Sequence, residues 1–432
     1  MIAGFLAGAA HGALAAATEI MLEIEPTTAS GDVLTTQISS APTPTGGLVV
    51  AWSNSQTDGD VQVFHVNRAG TVLWARTIGN KATTDYQCHS VRYVGNGNYL
   101  LGIWCTTEGG VPTVISQASG SIVWADISAT LAAVDAGYDS SGNIYLGDDG
   151  YLVKYNSAGT IQWQYRMNYT GSELSYGLST LSNGTTIVSA AAQVSSYYRA
   201  VLFAADQNGS FLWDKYYSVG DADHYPTRIS IDNNEDVVFA TDYQTTFREI
   251  HVVKASNSTG AISWARKITM AINNLYIRGI CTDSSNNVYL MILNTTAAPD
   301  AGYLVKYNSS GAIQAQLKIT TTGNEFLSGR NDATGVGAIY WNNGFLVVSL
   351  VGATNHGIII RIQDDLSTTG AVAGEDDTIT LASTSDMVDA VSAIAANDIT
   401  GTYASNAFSI SDYTDATSVA YTDYTTTVTA IP

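Results

Sequence analysis

The stretch "GYLVKYNSAGTIQWQ" (Gly150–Gln164) is written almost unchanged a second time as "GYLVKYNSSGAIQAQ" (Gly302–Gln316), 152 positions downstream. In both, a glycine is followed four residues later by one distinctive position, tryptophan in the first copy and alanine in the second. The same spacing occurs at Gly70/Trp74, Gly120/Trp124, Gly159/Trp163, Gly209/Trp213 and Gly260/Trp264, with Gly311/Ala315 as the sixth copy. Successive copies of the last position are 50, 39, 50, 51 and 51 residues apart. A recurring unit of this length marks a repeat architecture. The two quoted stretches are its third and sixth units.

Each unit holds three further runs. A β-type run stands just before the Gly-x-x-x-Trp element, as at 61–67, 151–156, 250–256 and 303–308, and it recurs a seventh time at 357–363. A shorter run opened by Gly or Asn precedes it (47–52, 98–104, 287–292), and another lies ahead of most of those (89–94, 227–232, 276–283). The runs are rich in Val, Ile and Tyr and are split by Asn, Gly and Ser, which reads as antiparallel hairpins. "GNGN" (Gly95–Asn98) predicts a two-residue tip at Asn96-Gly97. "DSSGN" (Asp139–Asn143), "DNNED" (Asp232–Asp236) and "DSSNN" (Asp283–Asn287) predict turns whose side chains bond their own backbone. A calcium loop shares such letters, but it needs a glutamate at its twelfth position and flanking helices, and neither is written here.

Seven units of four short strands predict an all-β chain, a seven-bladed β-propeller of four-stranded antiparallel blades. The propeller is expected over 33–385. A short N-terminal apolar helix and connector occupy 1–32 and serve as an assembly anchor. An extended Thr/Tyr/Asp-rich tail occupies 386–432 and is read as strand closure or inter-subunit contact, with "SVAYTDYTTTVTAIP" (Ser418–Pro432) alternating as a strand does. Trp74, Trp124, Trp163, Trp213 and Trp264 are expected at equivalent buried positions on outer strands, each wedged against the next blade. Ala315 leaves room there that a larger neighbour can fill.

Charged residues are only 13% of the chain, and 38 acids against 18 bases give a formal charge of −20. That charge repels a phosphate backbone and anionic lipid, so nucleic acid and anionic membranes are poor partners. Counting outward from the Asn96-Gly97 tip sets Cys88 opposite Cys105, as a disulfide or as two small buried thiols. Residues 1–18 are apolar, without Lys or Arg, and too poor in Leu, Ile and Phe to predict a membrane span. Gly4, Gly8 and Gly12 would form a smooth stripe on a helix, where another protein backbone can approach.

Catalysis needs a constellation. Asp148, Asp149, Asp221, Asp223, Asp364 and Asp365 all stand in turn-like contexts, and no shared motif forces two of them into glycosidase geometry. "DADH" (Asp221–His224) reads as a metal ligand set or, more simply, as an exposed loop histidine beside acids. No nucleophile elbow or phosphate-cradling loop occurs, and no cofactor or metal is expected. Tyr197, Tyr198, Tyr216, Tyr217 and Tyr225 fall between the predicted strands of one region. They offer recognition area for a sugar or protein, or they pack between blades.

The phrases "GTVLWARTIG" (Gly70–Gly79), "YLVKYNSAGTIQWQ" (Tyr151–Gln164) and "GAISWARKI" (Gly260–Ile268), with their "DSSGNIYL"-like partners, resemble the bacterial β-propeller repeat family of pyrroloquinoline-quinone-like type. They are also similar to propeller segments in the tail proteins of tailed bacteriophages. The resemblance covers roughly 46–366. It implies the propeller fold and, for function, a non-enzymatic structural protein of a virion. The tail, as fibre, tip or baseplate appendage, is the expected place. The N-terminal helix would hold the chain to other virion proteins, as part of an oligomer, while the propeller meets a host glycan or receptor. The quinoprotein dehydrogenases with similar repeats carry an adjacent cysteine pair that is missing here, so their activity is not implied. The alternative expectation is a secreted or surface-anchored bacterial carbohydrate-binding propeller.

Overall fold

A computed structural model of the chain describes residues 21–25 and 37–430, apart from inter-strand stretches that include 54–60, 295–300, 322–338, 352–356, 406–410 and 413–420. The chain forms seven blades of four antiparallel strands in a propeller ring. Blade one runs Gln37–Pro42, Leu48–Ser53, Val61–Val66 and Val72–Ile78. The next five follow the same meander, opening at Tyr86–Tyr93, Asp135–Tyr138, Glu173–Thr180, Asp223–Ile231 and Leu275–Thr282. In each blade the first strand lies at the axis and the fourth lies farthest from it of the four.

Blade seven has three strands of its own, Ile339–Asn342, Phe345–Val351 and Gly357–Gln363. Its fourth is Met21–Glu25, from the start of the chain, paired antiparallel to Gly357–Gln363. The stretch read as a connector is therefore the strand that closes the ring. Its "MLEIE" alternates with period two, a strand signal hidden by its shortness and the Pro26 that follows. The expected helix with Gly4, Gly8 and Gly12 lies outside the described residues.

The tail forms a belt on the outside of the ring. After Gly357–Gln363 the chain turns back and runs around the outside in the opposite sense. Thr378–Ser383 pairs with the outer strand of blade six, Val388–Val391 with blade five, Ala395–Asn397 with blade four and Thr402–Ser405 with blade three. Ser411–Asp412, Tyr421–Thr422 and Thr427–Ala430 continue onto blades two, one and seven. Every blade thus gains a fifth strand from one belt, and its last piece lies on Met21–Glu25. An uncovered outer strand would offer unpaired N–H and C=O groups to other chains. Gln316, the last letter of the second quoted stretch, grips the belt: its side chain accepts from the Met387 N–H at 3.2 Å and donates to the Met387 carbonyl at 3.0 Å. The Met387 side chain enters the core between blades five and six.

Seven hydrophobic clusters fill the seven seams. The one between blades three and four, for example, joins Tyr145 and Leu152 to Val188, Val201 and Phe203. The one between blades seven and one joins Val347 and Ile359 to Val50, Trp52 and Phe64. Middle strands are buried on both faces, which is why Val288–Asn294 reads as an apolar run broken only at its last residue.

The Gly-x-x-x-Trp element is a link between neighbours. Its tryptophan reaches into the next blade, whose own element supplies the glycine beneath it. A Cβ on Gly120, Gly159, Gly260 or Gly311 would lie 2.7–2.8 Å from the ring of Trp74, Trp124, Trp213 or Trp264 respectively, and on Gly209 it would lie 3.0 Å from Trp163. All five glycines have positive φ, from 68° to 82°, so the turn and the tryptophan both demand them. Trp74, Trp163, Trp213 and Trp264 each donate Nε1–H to a turn carbonyl of the next blade: Gln117, Gln207, Asn257 and Ser309. Trp124 instead stacks on Tyr155, centroids 5.1 Å apart. Trp74 and Trp213 are buried, while Trp124, Trp163 and Trp264 are half-buried at the outer rim of their seams.

Copy six now makes sense. Opposite Ala315, the glycine position of blade seven carries Leu366, buried and held at φ 56°. The bulk has changed sides: Ala315 and Leu366 share one cluster where other seams have tryptophan and glycine. The near-identity of copies three and six has its own cause. Lys154 and Lys306 each lie 5.2 Å from a tyrosine ring centroid, Tyr145 and Tyr289. Each lysine also donates to a carbonyl of the next blade, Gln207 at 2.8 Å and Asp364 at 2.9 Å.

The cysteine pairing expected from a two-residue tip is corrected. Gly95, Asn96 and Gly97 form a three-residue loop, all at positive φ, closed by the Val94 N–H to the Asn98 carbonyl at 3.0 Å. That moves the register by one residue, and a bulge between Cys88 and Ser90 moves it again. Cys88 faces Ile103 and Cys105 faces Tyr86, so both stay buried thiols that form no disulfide.

Candidate functional site

The inner strands enclose a central cavity of about 560 Å³, lined from blades two to seven. One ionic tie dominates it. Arg92 Nε donates to Asp135 Oδ1 of blade three at 2.5 Å, and Arg92 Nη1 donates to the Tyr340 hydroxyl of blade seven at 2.5 Å. The guanidinium thus links three blades and passes in front of blade one, which adds no residue to the cavity wall. Burial would lower the Arg92 pKa, but the Asp135 carboxylate and the Tyr340 hydroxyl outweigh it and hold the pKa above its ordinary value. Asp135 also accepts the N–H of Ala136 at 2.9 Å and of Leu178 at 3.1 Å. With these bonds made, the pair fastens blades; it does not present a free acid or base.

Above the tie the wall turns aromatic and hydroxylic. Tyr93 and Tyr138 meet edge to face, centroids 5.7 Å apart, and Tyr138 is 39% exposed. Burial, then Tyr93, pushes the Tyr138 phenol pKa up. Ser179, Thr180 and Ser230 line the same space. At its rim the Asp-rich turns bind one another: Glu235 accepts from Ser182, and the Asn233 N–H donates to Asn286 Oδ1 at 2.8 Å. Within the turns, Asp139 accepts from the N–H of Ser141 and Asn143, from Asn143 Nδ2 and from the Tyr145 hydroxyl, at 2.8–3.0 Å. Burial alone would raise the Asp139 pKa, but these donors lower it below the usual carboxylate value. Among the described residues, no group of three His, Cys, Asp or Glu side chains is placed to hold a metal ion.

A second cluster sits at the opposite end of blades four and five. The tyrosines expected in loops lie in strands, because aromatic pairs favour the pleated surface. Tyr197 and Tyr198 open Tyr197–Ala205, Tyr216 and Tyr217 end Phe211–Ser218, and Tyr225 lies in Asp223–Ile231. Tyr217 is fully buried, its hydroxyl bonded to the Gly260 carbonyl at 2.7 Å and its ring edge-on to Phe239. Burial pushes its pKa up. Tyr216 packs against the core of blades three and four. Tyr197, Tyr198 and Tyr225 are half-exposed: Arg199 sits 5.2 Å from the Tyr197 centroid, and Tyr198 and Tyr225 are 5.5 Å apart. Four of the five, Tyr216 included, thus keep partial exposure, and only Tyr217 is wholly buried.

His224 is neither an exposed loop histidine nor part of a ligand set. It is fully buried, stacks on Tyr243 at 4.8 Å and meets the Val219 backbone through Nε2 at 3.1 Å. His251 lies 6.1 Å away, also buried. Burial pushes His224 down to about 4 despite the Val219 bond. Burial, with His224 and Lys267 nearby, pushes His251 down to about 3. The acids read as catalytic candidates are engaged separately: Asp223 accepts the Tyr198 N–H at 2.8 Å and Asp364 accepts Trp341 Nε1–H at 2.8 Å.

Sequence reasoning missed Arg92, Asp135 and Tyr340, which stand in no motif. It missed His251 and Arg199 for the same reason. No helix among the described residues is long and apolar enough to cross a membrane. The chain matches no protein-family model and no curated protein.

Proposed function

We propose that this chain is a non-enzymatic structural protein of a tailed-bacteriophage particle, carried in the tail, with its propeller turned outward for contact with a host surface or glycan. The belt is the observation that carries this reading. It covers an outer strand in every blade and ties the last strand to the first. A ring with its edges occupied resists strand-to-strand polymerisation, which suits a unit displayed outside the cell in many copies. The resemblance of the repeats to phage tail propellers supports the same reading. So does the acidic surface, which keeps the chain soluble and away from nucleic acid.

The half-exposed Tyr197, Tyr198 and Tyr225 give the display face its recognition area. They equally favour a second reading, a secreted or surface-anchored bacterial carbohydrate-binding propeller. Deleting residues 1–18 separates the two. In the virion reading that apolar segment, with Gly4, Gly8 and Gly12, is the anchor to other particle proteins. The shortened chain then folds but no longer co-purifies with particles. Normal incorporation of the deletion removes the anchor role of residues 1–18, and a full-length chain that never co-purifies with particles overturns the virion reading.

A further inference from the structure

We propose that the central cavity is a binding site for a neutral, hydroxyl-rich ligand of pyranose size, either a free monosaccharide or the terminal sugar of a glycan. This rests on the display reading only for the ligand's biological source; the chemistry is argued from the cavity.

Size comes first. About 560 Å³ falls within the roughly 300–1,000 Å³ of ordinary small-ligand sites. Charge comes next. Among the described residues, Arg92 is the one cationic side chain in the wall; Asp135 balances its charge, and Asp135, Tyr340 and the Val91 carbonyl take the donors of Nε and Nη1. The wall's acids are Asp135, held by Arg92 and two backbone amides, and Asp139, held by four donors. Among the described residues, an anionic ligand finds no cation without a counter-charge and a cationic ligand no carboxylate without donors of its own, so either would lose hydration with little in return. A neutral polar ligand escapes that cost.

The wall is rich in the groups such a ligand needs. Each inner strand has a strand neighbour on one side only, so its other edge carries amide donors and carbonyl acceptors toward the axis. Two of these amides already bind oxygen: Val91 N–H to Ser39 Oγ at 2.9 Å and Leu178 N–H to Asp135 Oδ2 at 3.1 Å. Ser179, Thr180 and Ser230 add hydroxyls that both donate and accept, as sugar hydroxyls do. Tyr138 stands exposed at the rim, braced by Tyr93, and offers an aromatic surface for the apolar C–H face of a pyranose. The Arg92–Tyr340 tie fixes one wall, so the site is formed before a ligand arrives.

The test is calorimetric titration of the full chain with methyl glycosides of glucose, galactose and mannose, alongside sialic acid and glucosamine as charged controls. Saturable one-to-one binding of at least one neutral glycoside is expected. Tyr138→Ala, at an exposed position, should weaken it about tenfold or more, and Ser179→Phe, which fills the cavity, should abolish it. Leu73→Ala, exposed on the outer strand of blade one, should leave it unchanged. Oligosaccharides ending in the bound sugar sort the source: affinity equal to or above the methyl glycoside marks a glycan terminus, and loss of affinity marks a free sugar. No saturable binding by any neutral glycoside, equal binding of the charged controls, or binding indifferent to both cavity variants overturns the proposal. Particle incorporation plays no part in this readout, so failure of the sugar site and failure of the virion reading are told apart.

Discussion

Replacing Gly260 by alanine tests whether the repeat is a chain of glycine–tryptophan contacts. Two costs are expected. The residue sits at φ +68°, where an L side chain loses about 1–2 kcal/mol. The new Cβ would also lie 2.8 Å from Trp213 Cζ3 and 2.7 Å from Lys215 Cγ. The Trp213 ring has little room to yield, since it is buried and its Nε1–H is fixed to the Asn257 carbonyl at 2.7 Å. Overpacking of this kind costs about 1–3 kcal/mol, for a total of about 2–5 kcal/mol. Gly97 supplies the control: its φ is +70°, but a Cβ there meets nothing within 4 Å. Gly97→Ala should therefore show the backbone cost alone. Urea unfolding of both variants, followed by tryptophan fluorescence, measures the difference, expected at about 1–3 kcal/mol. In a Trp213→Ala background the Gly260→Ala penalty should shrink toward that of Gly97→Ala, a coupling that a double-mutant cycle reads directly. Equal losses at Gly97 and Gly260, or no coupling to Trp213, would refute the linkage.

The exchanged pair in the last seam predicts the reverse experiment: Ala315→Trp alone should cost about 1–3 kcal/mol against Leu366, and adding Leu366→Gly should recover part of it in the same unfolding assay. Stability should also depend on pH through His224 and His251, which face each other, Arg199, Asp223 and Lys267. Their folded values of about 4 and about 3 lie below the ordinary 6.5, so only the unfolded chain gains protons as pH first drops below 6.5. Their contribution is present above pH 6.5 and is lost progressively down to pH 4 and 3; a His224→Gln/His251→Gln chain should flatten the unfolding midpoint over that window, and an unchanged slope would contradict the burial argument. Stopping the chain after residue 385 should leave a β-rich ring by circular dichroism whose uncovered outer strands associate at rising concentration; a monodisperse light-scattering trace at all concentrations would contradict the role given to the belt.

Most of the ring was legible because its code is local. A positive-φ glycine, a tryptophan four residues on and an Asp-rich turn each recur where the backbone needs them, and their repetition multiplied a weak signal. The belt was not legible because its strands are short, down to the two residues of Ser411–Asp412 and Tyr421–Thr422, and they are defined by partner edges far away in the chain, from Leu317 for Ser383 to Leu22 for Ala430. Cys88 and Cys105 show how register escapes sequence: one extra turn residue and one bulge moved each to a different partner. The cavity escaped for a third reason. Arg92 meets Asp135 across 43 residues and Tyr340 across 248, and ring closure alone creates that neighbourhood. His224 was visible as a letter, but the strand that buries it against Tyr243 and His251 was not.

The central claim is that the propeller is an outward-facing part of a phage tail. Immunogold electron microscopy of purified particles, with an antibody against the folded propeller, addresses it most directly. The account predicts gold at the tail of intact particles. Unlabelled particles, with the chain recovered only from the surrounding medium or the cell surface, would contradict it.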